Sequence, residues 1–280
     1  MSVSENKAEG WRWVAHALPP DEVAMFSFDC VPRGALERAI TRPYLPRYRA
    51  ALQSALAVRG QRADLLVSHG PLMTLWAAAA LQAVGAKTPQ LAFGFNFTHL
   101  PAGKRLGMMR RMFQRVDRFV VPSSLERELY SNVFSLPASK FDVLLWGIEK
   151  PGVPAGAVPF ISEDGAGYVC AIGGEGRDYA TLFDAARQIP SIRVVCIGRP
   201  ASFAGLAVPS NVSVFTNTPA ETAWNVLAHS RFAIVPLRDA EVPCGHVTLV
   251  AAMHHAKALV VTDSRGVSDY VRHEENALLV

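Results

Sequence analysis

The chain has 280 residues, half of them hydrophobic, and its 28 Lys and Arg against 24 Asp and Glu give a net charge of +4. This composition excludes a disordered chain, and the 20 Gly and 19 Pro follow no period, which excludes collagen and low-complexity repeats. No Lys/Arg run exceeds a pair and no nucleic-acid-binding motif is present, so no nucleic-acid partner is expected. The length predicts two modest domains or one large one.

The cysteines and the apolar runs bear on the cellular compartment. The four cysteines share no short spacing, which predicts reduced thiols rather than a disulfide framework or a zinc ribbon. The N-terminus has no apolar signal core, and the longest weakly polar run, Leu72 to Ala86, is too short for a membrane span. A cytoplasmic protein is therefore expected, with peripheral attachment at the inner face of the membrane as the alternative.

Between residue 64 and residue 145, short β-branched or aromatic runs alternate with helical patterns, which is typical of βα units that form a parallel sheet. The predicted strands are Asp64–Ser68, Gln90–Phe95, Arg118–Val121 and Phe141–Leu145. The predicted helices are Met73–Val84, Lys104–Gln114 and Ser124–Phe134, the last with Ser123 or Ser124 as its N-cap. The first sixty residues indicate no clear order of elements.

A Pro/Gly-rich segment without periodicity, Lys150 to Gly167, predicts a boundary between a domain at 1–150 and a domain at 151–280. The strands predicted beyond it are Tyr168–Ile172, Ile192–Ile197, Val212–Phe215, Phe232–Val235 and Ala258–Val261. The helices predicted beyond it are Tyr179–Gln188, Pro219–His229 and Val247–His255. Both halves are thus predicted to be doubly wound, Rossmann-like α/β domains that face each other across a ligand-binding cleft.

A glycine-rich turn follows the first strand of the second half. The residues Gly173 to Gly176 (GGEG) end that strand, and Arg177 and Asp178 begin the next helix. Glycines let backbone N–H groups approach an anion, the helix N-terminus adds a positive dipole, and an arginine can bind a phosphate in bidentate fashion. The pattern therefore indicates an anion site, with a simple tight turn as the alternative because neither GxGxxG nor GK[ST] occurs.

A second segment, Pro236 to Met253 (PLRDAEVPCGHVTLVAAM), leaves a strand, crosses a Pro/Gly turn and enters a helix. With KALVVTDSRGVSDYV and ENALLV after it, this segment resembles the nucleotide-sugar half of GT-B glycosyltransferases, and most closely their retaining family 4. VDRFVVPSSLERELY and KFDVLLWGIEKP are similar to the end of that family's acceptor domain, and GYVCAIGGEGRDYATLFDA to the start of its donor domain. Relatives continue beyond Val280, so a C-terminally truncated chain is expected.

The resemblance implies a hexosyltransferase that uses a nucleotide-diphosphate sugar, retains the anomeric configuration and needs neither a metal nor a cofactor. The acceptor would be a glycan, a lipid-linked molecule or a small molecule. No Asp-x-Asp metal motif occurs in the chain. The donor-binding roles that the resemblance implies fall on Gly173, Gly174, Arg177, Gly198, Arg199, Thr216, Asn217, Pro243, Cys244, Gly245, His246, Val247 and Thr248. In that assignment the first three bind the diphosphate, the next four border the base, and the last six face the sugar and its phosphate.

The acids of the resembling family are displaced or absent. The resemblance places the family's ribose-binding glutamate at Ala251 and its sugar-contacting acid at Pro243, which leaves Glu241 or Asp239 as a displaced substitute, with Glu241 as the catalytic candidate. An alanine accepts no hydrogen bond from a ribose hydroxyl, so affinity should fall unless another group compensates. A catalytically inactive nucleotide-binding or scaffold paralogue is therefore the alternative function. A nucleotide-sugar epimerase is disfavoured because acids are few near Glu241.

Two further features lie in the first half. His99 follows a strand where relatives place a histidine that faces the donor sugar, and Asn96 and Thr98 are the neighbouring acceptor-side candidates; an ordinary loop is the alternative. The segment Lys104 to Arg118 carries six cations, with apolar residues at helical spacing on its other face. This pattern favours a surface helix that packs on the sheet, with contact to anionic lipid as the alternative.

Overall fold

The structure is a computed structural model that describes residues 2–4, 27–61, 63–153, 167–238 and 243–280. The chain divides into two compact units, Met1–Leu144 and Leu145–Val280. This division falls slightly earlier in the chain than the predicted boundary at residue 150, and part of the predicted boundary segment lies outside the described residues.

The first unit is built on a parallel sheet whose strand order is β2-β1-β3-β4-β5-β6. Its described strands are β1 Ser2–Ser4, β2 Ser27–Asp29, β3 Leu66–His69, β4 Gln90–Phe93, β5 Arg118–Val121 and β6 Phe141–Val143. Its described α-helices are α1 Gly34–Ala39, α2 Leu45–Gln61, α3 Pro71–Ala83, α4 Gly103–Phe113 and α5 Ser124–Phe134. The order of β2, β1, β3, β4 and β5 is that of flavodoxin-like sheets.

The second unit is built on another parallel sheet, with the order β12-β11-β10-β7-β8-β9. Its described strands are β7 Tyr168–Ile172, β8 Arg193–Gly198, β9 Val212–Thr216, β10 Phe232–Val235, β11 Ala258–Val261 and β12 Leu278–Leu279. Its described α-helices are α6 Tyr179–Gln188, α7 Pro200–Phe203, α8 Ala220–His229 and α9 His246–His254. Every residue of β7 is buried, as expected for a central strand covered on both faces.

The structure confirms the predicted α/β class with two Rossmann-like sheets. Elements whose observed bounds equal the predicted ones are β5, α5, β7, α6, β10 and β11. Ser123 is the N-cap of α5, and its hydroxyl accepts a hydrogen bond from the Glu126 N–H at 3.1 Å, which selects it over Ser124. The strand and N-cap patterns were therefore sufficient for most elements that follow residue 63, but they did not predict the short helix α7 or the two-residue strand β12.

Helix α2 was not predicted because its residue sizes contradict its orientation. The small side chains Ala50, Ala51 and Ala55 are buried, whereas the larger Leu52 and Leu56 are about half exposed. Hydrophobic periodicity weights leucine above alanine, so the pattern indicates the wrong face. Alanines on the buried face let α2 pack closely against its neighbours in the core of this unit.

The core of the first unit centres on Phe95, which directly follows the Gly94 turn after β4. Its fully buried ring makes edge-to-face contacts with Phe113, Phe119 and Tyr130, at centroid distances of 5.3, 4.8 and 5.6 Å. Such pairs contribute beyond the area they bury. The chain beyond β4 is therefore anchored by a core side chain.

Alkaline pH is expected to destabilise the second unit through two buried thiols. Burial raises the pKa of Cys170 from 9.0 to about 11 and that of Cys196 to about 12. Above pH 9 the unfolded chain ionises both thiols while the folded chain keeps them neutral, so the free energy of unfolding falls as the pH rises. The slope is about 1.4 kcal/mol per pH unit for each thiol.

Urea denaturation at several pH values between about 9 and 10, below the ordinary tyrosine pKa, measures this slope. Replacement of Cys196 by alanine should remove about half of the part of the slope that the two thiols cause. An unchanged slope in a Cys170→Ala, Cys196→Ala double variant would contradict the assignment.

Candidate functional site

The strand order of the second sheet locates a crevice. Strands β7, β8 and β9 follow one another in one direction from the middle of the sheet, and β10, β11 and β12 follow one another in the other. The order therefore reverses between β7 and β10, and open α/β sheets bind ligands beyond the carboxyl ends of the strands at such a point. The glycine loop, Gly173–Gly176, follows β7, and the donor loop, of which residues 236–238 and 243–245 are described, follows β10. Both predicted donor-binding segments thus lie at this switch point.

Both backbone polar groups of Gly173, the first residue of the glycine loop, form hydrogen bonds within the fold. The Gly173 N–H donates to the Ile197 carbonyl at 2.8 Å, and the Gly173 carbonyl accepts from the Tyr179 hydroxyl at 2.6 Å. The expectation that the Gly173 N–H faces the donor diphosphate is therefore corrected, because strand β8 takes that donor. By contrast, no described residue accepts a hydrogen bond from the N–H groups of Gly174, Glu175 or Gly176. Successive unpaired N–H groups of this kind form anion-binding concavities.

Arg177 lies beneath the glycine loop and is only 6% exposed. Its Nε and Nη2 donate to the Ile172 carbonyl at 3.3 and 3.2 Å, and its Nη1 donates to the Glu175 carbonyl at 3.0 Å. Nη2 also donates to the Thr248 hydroxyl of α9 at 3.0 Å. The predicted bidentate grip of Arg177 on a phosphate is therefore corrected, since its donors are directed at protein oxygens. Its guanidinium connects the end of β7, the glycine loop and helix α9.

Close packing around Arg177 explains two of the glycines. A Cβ at Gly173, where φ is +136°, would lie 2.4 Å from Arg177 Nη2, and a Cβ at Gly176, where φ is +59°, would lie 2.2 Å from Cys244 Sγ. Burial lowers the pKa of Arg177, although a guanidinium remains protonated at any ordinary pH. Burial also raises the pKa of the Cys244 thiol, and the neighbouring guanidinium opposes this rise. The two loops therefore pack on each other around a buried positive charge.

The sequence predicted that the N-terminus of α6 offers its positive dipole to an anion. In the structure, a side chain of the protein already caps this N-terminus. Asp178 is its N-cap, and its carboxylate accepts from the Thr181 N–H at 3.1 Å and from the Thr181 hydroxyl at 2.7 Å. The carboxylate neutralises the helix dipole at the position where an anion would bind. The start of α6 is thus occupied by the chain's own anion.

Helix α9 has the opposite arrangement. No side chain caps it, its N-cap is Gly245 with φ of +99°, and no described residue accepts from the N–H groups of Gly245, His246 or Val247. The Thr248 hydroxyl donates to the Ile172 carbonyl at 3.2 Å, which holds the first turn of α9 against the end of β7. These uncapped N–H groups lie on the donor-loop side of the switch point, as predicted.

The His246 imidazole lies away from these N–H groups. Its Nε2 is 2.8 Å from the Gly266 carbonyl, and its ring stacks on Tyr270 at a centroid distance of 4.6 Å. The Tyr270 hydroxyl accepts from the Trp146 N–H at 2.6 Å. Burial lowers the pKa of His246. The side chain therefore fixes the start of α9, and only its backbone N–H is available to a ligand. Pro243 packs on the backbone of Gly266, where a Cβ would lie 2.8 Å from Pro243 Cβ.

Arg199 follows β8 and lies over the glycine loop. A Cβ at Gly174 would lie 2.6 Å from Arg199 Cγ, and the guanidinium forms an ion pair with the Glu175 carboxylate. The two side chains are 67% and 44% exposed. Sequence reasoning missed the role of Glu175, although an acid enclosed by glycines in a predicted anion loop was a visible signal.

The remaining residues predicted to bind the donor lie farther from the switch point. Gly198 pairs in register with Thr216 on β9, next to Asn217, so these residues are one or two strands away from the switch point. No described residue forms a hydrogen bond with the side chain of Thr216 or of Asn217. Asp239 and Glu241 lie outside the described residues. Within the described ranges, no three His, Cys, Asp or Glu side chains are grouped so that they could hold a metal ion.

Ala251 belongs to the core of the second unit. It is fully buried, among apolar residues that include Leu249 and Val261. A glutamate there would place a charge among apolar side chains, at a cost of several kcal/mol. The alanine therefore fits the packing of α9.

In the first unit the predicted acceptor-side residues share one loop after β4. Asn96, Thr98 and His99 are exposed, whereas Phe95 and Phe97 are buried. The Phe97 N–H donates to the Tyr130 hydroxyl at 3.0 Å, and this hydroxyl donates to Glu126 Oε1 at 3.1 Å. Alternating buried and exposed residues thus fix the loop while its polar side chains face outward.

His69, at the end of β3, was not identified from the sequence. Its imidazole lies beneath Gly94, where a Cβ would be 2.8 Å from Nε2, and near Phe93 at a centroid distance of 6.4 Å. The predicted strand ended one residue earlier, so His69 was not recognised as the last residue of the strand, at the carboxyl edge of the sheet. The loop after β1, the other strand at the switch point of this sheet, lies outside the described residues.

Helix α4 uses its apolar face in the core. Met109 and Phe113 are fully buried, and the exposed face carries Lys104, Arg105 and Arg111 around Met108, which is 39% exposed. The expected packing on the sheet is therefore present. Along the described residues, the structure has no helix of the length and hydrophobicity needed to cross a membrane.

The two Rossmann-like sheets define a GT-B type α/β protein. Residues 6–147 match the family model described as a glycosyl transferase 4-like domain. This match covers half of the chain, and the protein belongs to that glycosyltransferase family. The predicted family resemblance is thereby confirmed. No curated protein sequence matches the chain.

Solved structures agree on the fold at low sequence identity. A glycosyltransferase from Rickettsia africae is 12% identical, with a TM-score of 0.66 over all of this chain and 83% of its own. The Anabaena protein HepE, solved in complex with UDP-glucose, is 15% identical, with a TM-score of 0.68 over all of this chain and 77% of its own. The lipopolysaccharide outer core galactosyltransferase WaaB, in its apo form, is 15% identical, with a TM-score of 0.63 over all of this chain and 86% of its own.

Removal of the Arg177 side chain is expected to destabilise the second unit. Arg177→Ala leaves the Ile172 and Glu175 carbonyls and the Thr248 hydroxyl without their charged donor, and it opens a space under the glycine loop. The free energy of unfolding should fall by about 3 kcal/mol or more. Urea denaturation measures the loss. The matched control is Arg187→Ala on α6, whose exposed ion pair with Asp184 is worth less than about 1 kcal/mol. Equal losses in both variants would contradict the structural role.

Proposed function

We propose that the protein transfers a hexose from a nucleoside diphosphate sugar to an acceptor, with retention of anomeric configuration and without a metal ion. The observation that carries the proposal is that two sets of backbone N–H groups at one switch point, those of Gly174–Gly176 and those of Gly245–Val247, have no acceptor among the described residues. Family membership supports sugar transfer as the reaction. Retention and the absence of a metal rest on the family resemblance.

The leaving group in this reaction is a nucleoside diphosphate, whose charge grows as the glycosidic bond breaks. Fixed N–H dipoles stabilise such a charge without reorganising during the step. We place the diphosphate against the glycine loop and the start of α9, with the base toward Gly198, Thr216 and Asn217. Arg177 contributes by holding the two loops together.

The acceptor side of the proposal falls on Asn96, Thr98 and His99, the exposed side chains of the loop after β4. Their loop is anchored through the Phe97 N–H and the Tyr130 hydroxyl. We assign His99 to contact with the donor sugar, and Asn96 and Thr98 to contact with a glycan, lipid-linked or small-molecule acceptor. Glu241 is retained as the proposed acid near the sugar.

Nucleotide binding is the first expected outcome. Isothermal titration of the protein with UDP, GDP and ADP should detect one nucleotide with micromolar affinity, and UDP is the first choice because HepE was solved with UDP-glucose. The uncapped N–H groups account for the contact with the diphosphate, so the matching nucleoside without phosphates should bind at least tenfold more weakly. A radiolabelled nucleotide sugar then tests transfer to candidate acceptors.

Three outcomes separate the candidate functions. Nucleotide binding with sugar transfer supports the proposed enzyme, and conversion of the nucleotide sugar without an acceptor would support an epimerase instead. Nucleotide binding with neither reaction would favour the scaffold paralogue, which the burial of Ala251 in the core also favours. A folded protein that binds none of the nucleotides would overturn the donor site.

The exposed face of α4 supports a further proposal, that the protein attaches to anionic membranes by charge. Lys104, Met108 and Arg111 lie on one face at helical spacing, with Arg105 beside them. Basic residues contribute about 1 kcal/mol each near an anionic bilayer, and salt screens this attraction. Because the apolar stripe of α4 is buried, the attachment is electrostatic and peripheral.

Co-sedimentation with vesicles that contain anionic lipid tests the attachment. Binding is expected at low ionic strength, with loss at high salt and on vesicles of neutral lipid. The triple variant Lys104→Glu, Arg105→Glu, Arg111→Glu should abolish it, whereas Arg187→Glu with Arg272→Glu, two exposed cations of the second unit, should change it little. Equal effects of the two variants would indicate a response to net charge alone and contradict the assignment to α4.

A further inference from the structure

The two arginines at the glycine loop are in opposite situations. Arg177, at the position that the family resemblance assigns to the donor phosphate, is buried and bonded to protein oxygens. Arg199, which the resemblance assigns to the rim of the base, is 67% exposed and is bonded through its side chain to Glu175 alone among the described residues. Arg199 is therefore a cation at this loop that a ligand can reach, as is Arg238, whose N–H donates to the Gly176 carbonyl at 2.9 Å and whose side chain is exposed.

The backbone brings Arg199 against the glycine loop. Its Cγ lies 2.6 Å from where a Cβ at Gly174 would be, so the absence of a Cβ there lets the arginine pack on the loop. The Gly174 carbonyl accepts from the Ser202 hydroxyl at 3.0 Å, which ties the loop to the short helix that begins after Arg199. The Arg199 side chain therefore lies beside the loop that carries the N–H groups of Gly174–Gly176.

Glu175, a residue of the glycine loop, forms an ion pair with the Arg199 guanidinium. Its carboxylate pairs with Arg199, while its own backbone N–H is one of the unpaired donors. The carboxylate is thus an anion held by the arginine on the same loop that carries these N–H groups. Because both side chains are largely exposed, the pair is weak, and a diphosphate with more charge can displace the carboxylate.

We propose that Arg199 is the side chain that binds the donor diphosphate, and that Glu175 is its internal counter-ion, displaced when the nucleotide enters. The inference deepens the proposed function and rests on it. Glu175 keeps the guanidinium neutralised and positioned in the empty site, and it competes with the ligand. Displacement moves the carboxylate away from Arg199 while the buried Arg177 keeps the loop in place.

Titration of four proteins with UDP, GDP, ADP and inorganic pyrophosphate tests the proposal: the wild type, Arg199→Gln, Glu175→Gln and the double variant. Arg199→Gln should weaken binding roughly tenfold or more, since a charge-assisted contact is lost. Glu175→Gln should strengthen binding by roughly threefold to tenfold, since the competing anion is removed. In the Arg199→Gln background, Glu175→Gln should have a clearly smaller effect, because the carboxylate acts through the arginine.

Matched controls are Arg187→Gln and Asp184→Asn, the exposed ion pair near the far end of α6, which should leave affinity unchanged. Denaturation curves of all variants establish that the exposed substitutions leave the fold intact. Weaker binding in Glu175→Gln would show that the carboxylate contacts the ligand itself, and it would overturn the counter-ion role. An effect of Glu175→Gln that persists in full without Arg199 would overturn it as well.

Failure of the proposed function has a different signature. If the folded wild type binds neither a nucleotide nor pyrophosphate, the donor site itself is wrong and the inference falls with it. If the wild type binds a nucleotide and Arg199→Gln binds it equally well, the donor site stands and only the assignment of Arg199 is overturned.

Discussion

The buried guanidinium of Arg177 is the interaction on which the candidate site depends. It contacts the last carbonyl of β7, a carbonyl of the glycine loop and the Thr248 hydroxyl of α9, so it connects the two loops that diverge at the switch point of the sheet. A buried charge is tolerated only where its donors are satisfied, and here the Ile172 and Glu175 carbonyls and the Thr248 hydroxyl supply the acceptors. Two glycines follow from this arrangement, because side chains at Gly173 and Gly176 would collide with Arg177 and Cys244. The shape of the loop is therefore a result of the packing beneath it.

Much of the fold could be predicted because it depends on local patterns. Strands such as β7 and β10 are continuous apolar runs between turns, and Ser123 with Glu126 marks the start of α5, so these elements follow from the spacing of residues. Helix α2 could not be predicted, because alanines face its core while Leu52 and Leu56 are exposed. The glycine loop was located correctly, but the direction of its arginine was not. A cation after a strand can face solvent or the protein, and the direction of Arg177 depends on nearby backbone carbonyls together with the Thr248 hydroxyl, which lies 71 positions farther along the chain.

The departures from the family's motif agree with the packing. The position of the ribose-binding glutamate holds a fully buried alanine, so α9 packs on the sheet with a side chain that no ligand could reach. Two described carboxylates near the glycine loop have local partners, since Asp178 caps α6 and Glu175 pairs with Arg199. Among the described residues, the N–H groups of Gly174–Gly176 and Gly245–Val247 therefore remain without acceptors.

Cys244 has a practical consequence for following the donor loop in solution. Of the four thiols in the chain, it alone is not fully buried, and its Sγ rests on the carbonyl of Gly176 at 3.7 Å. The fraction of Cys244 present as thiolate at neutral pH is small because burial raises its pKa, so alkylation is slow while the loops stay packed. Any separation of the donor loop from the glycine loop exposes this sulfur, and the alkylation rate at one native cysteine then reports the loop movement without an introduced label.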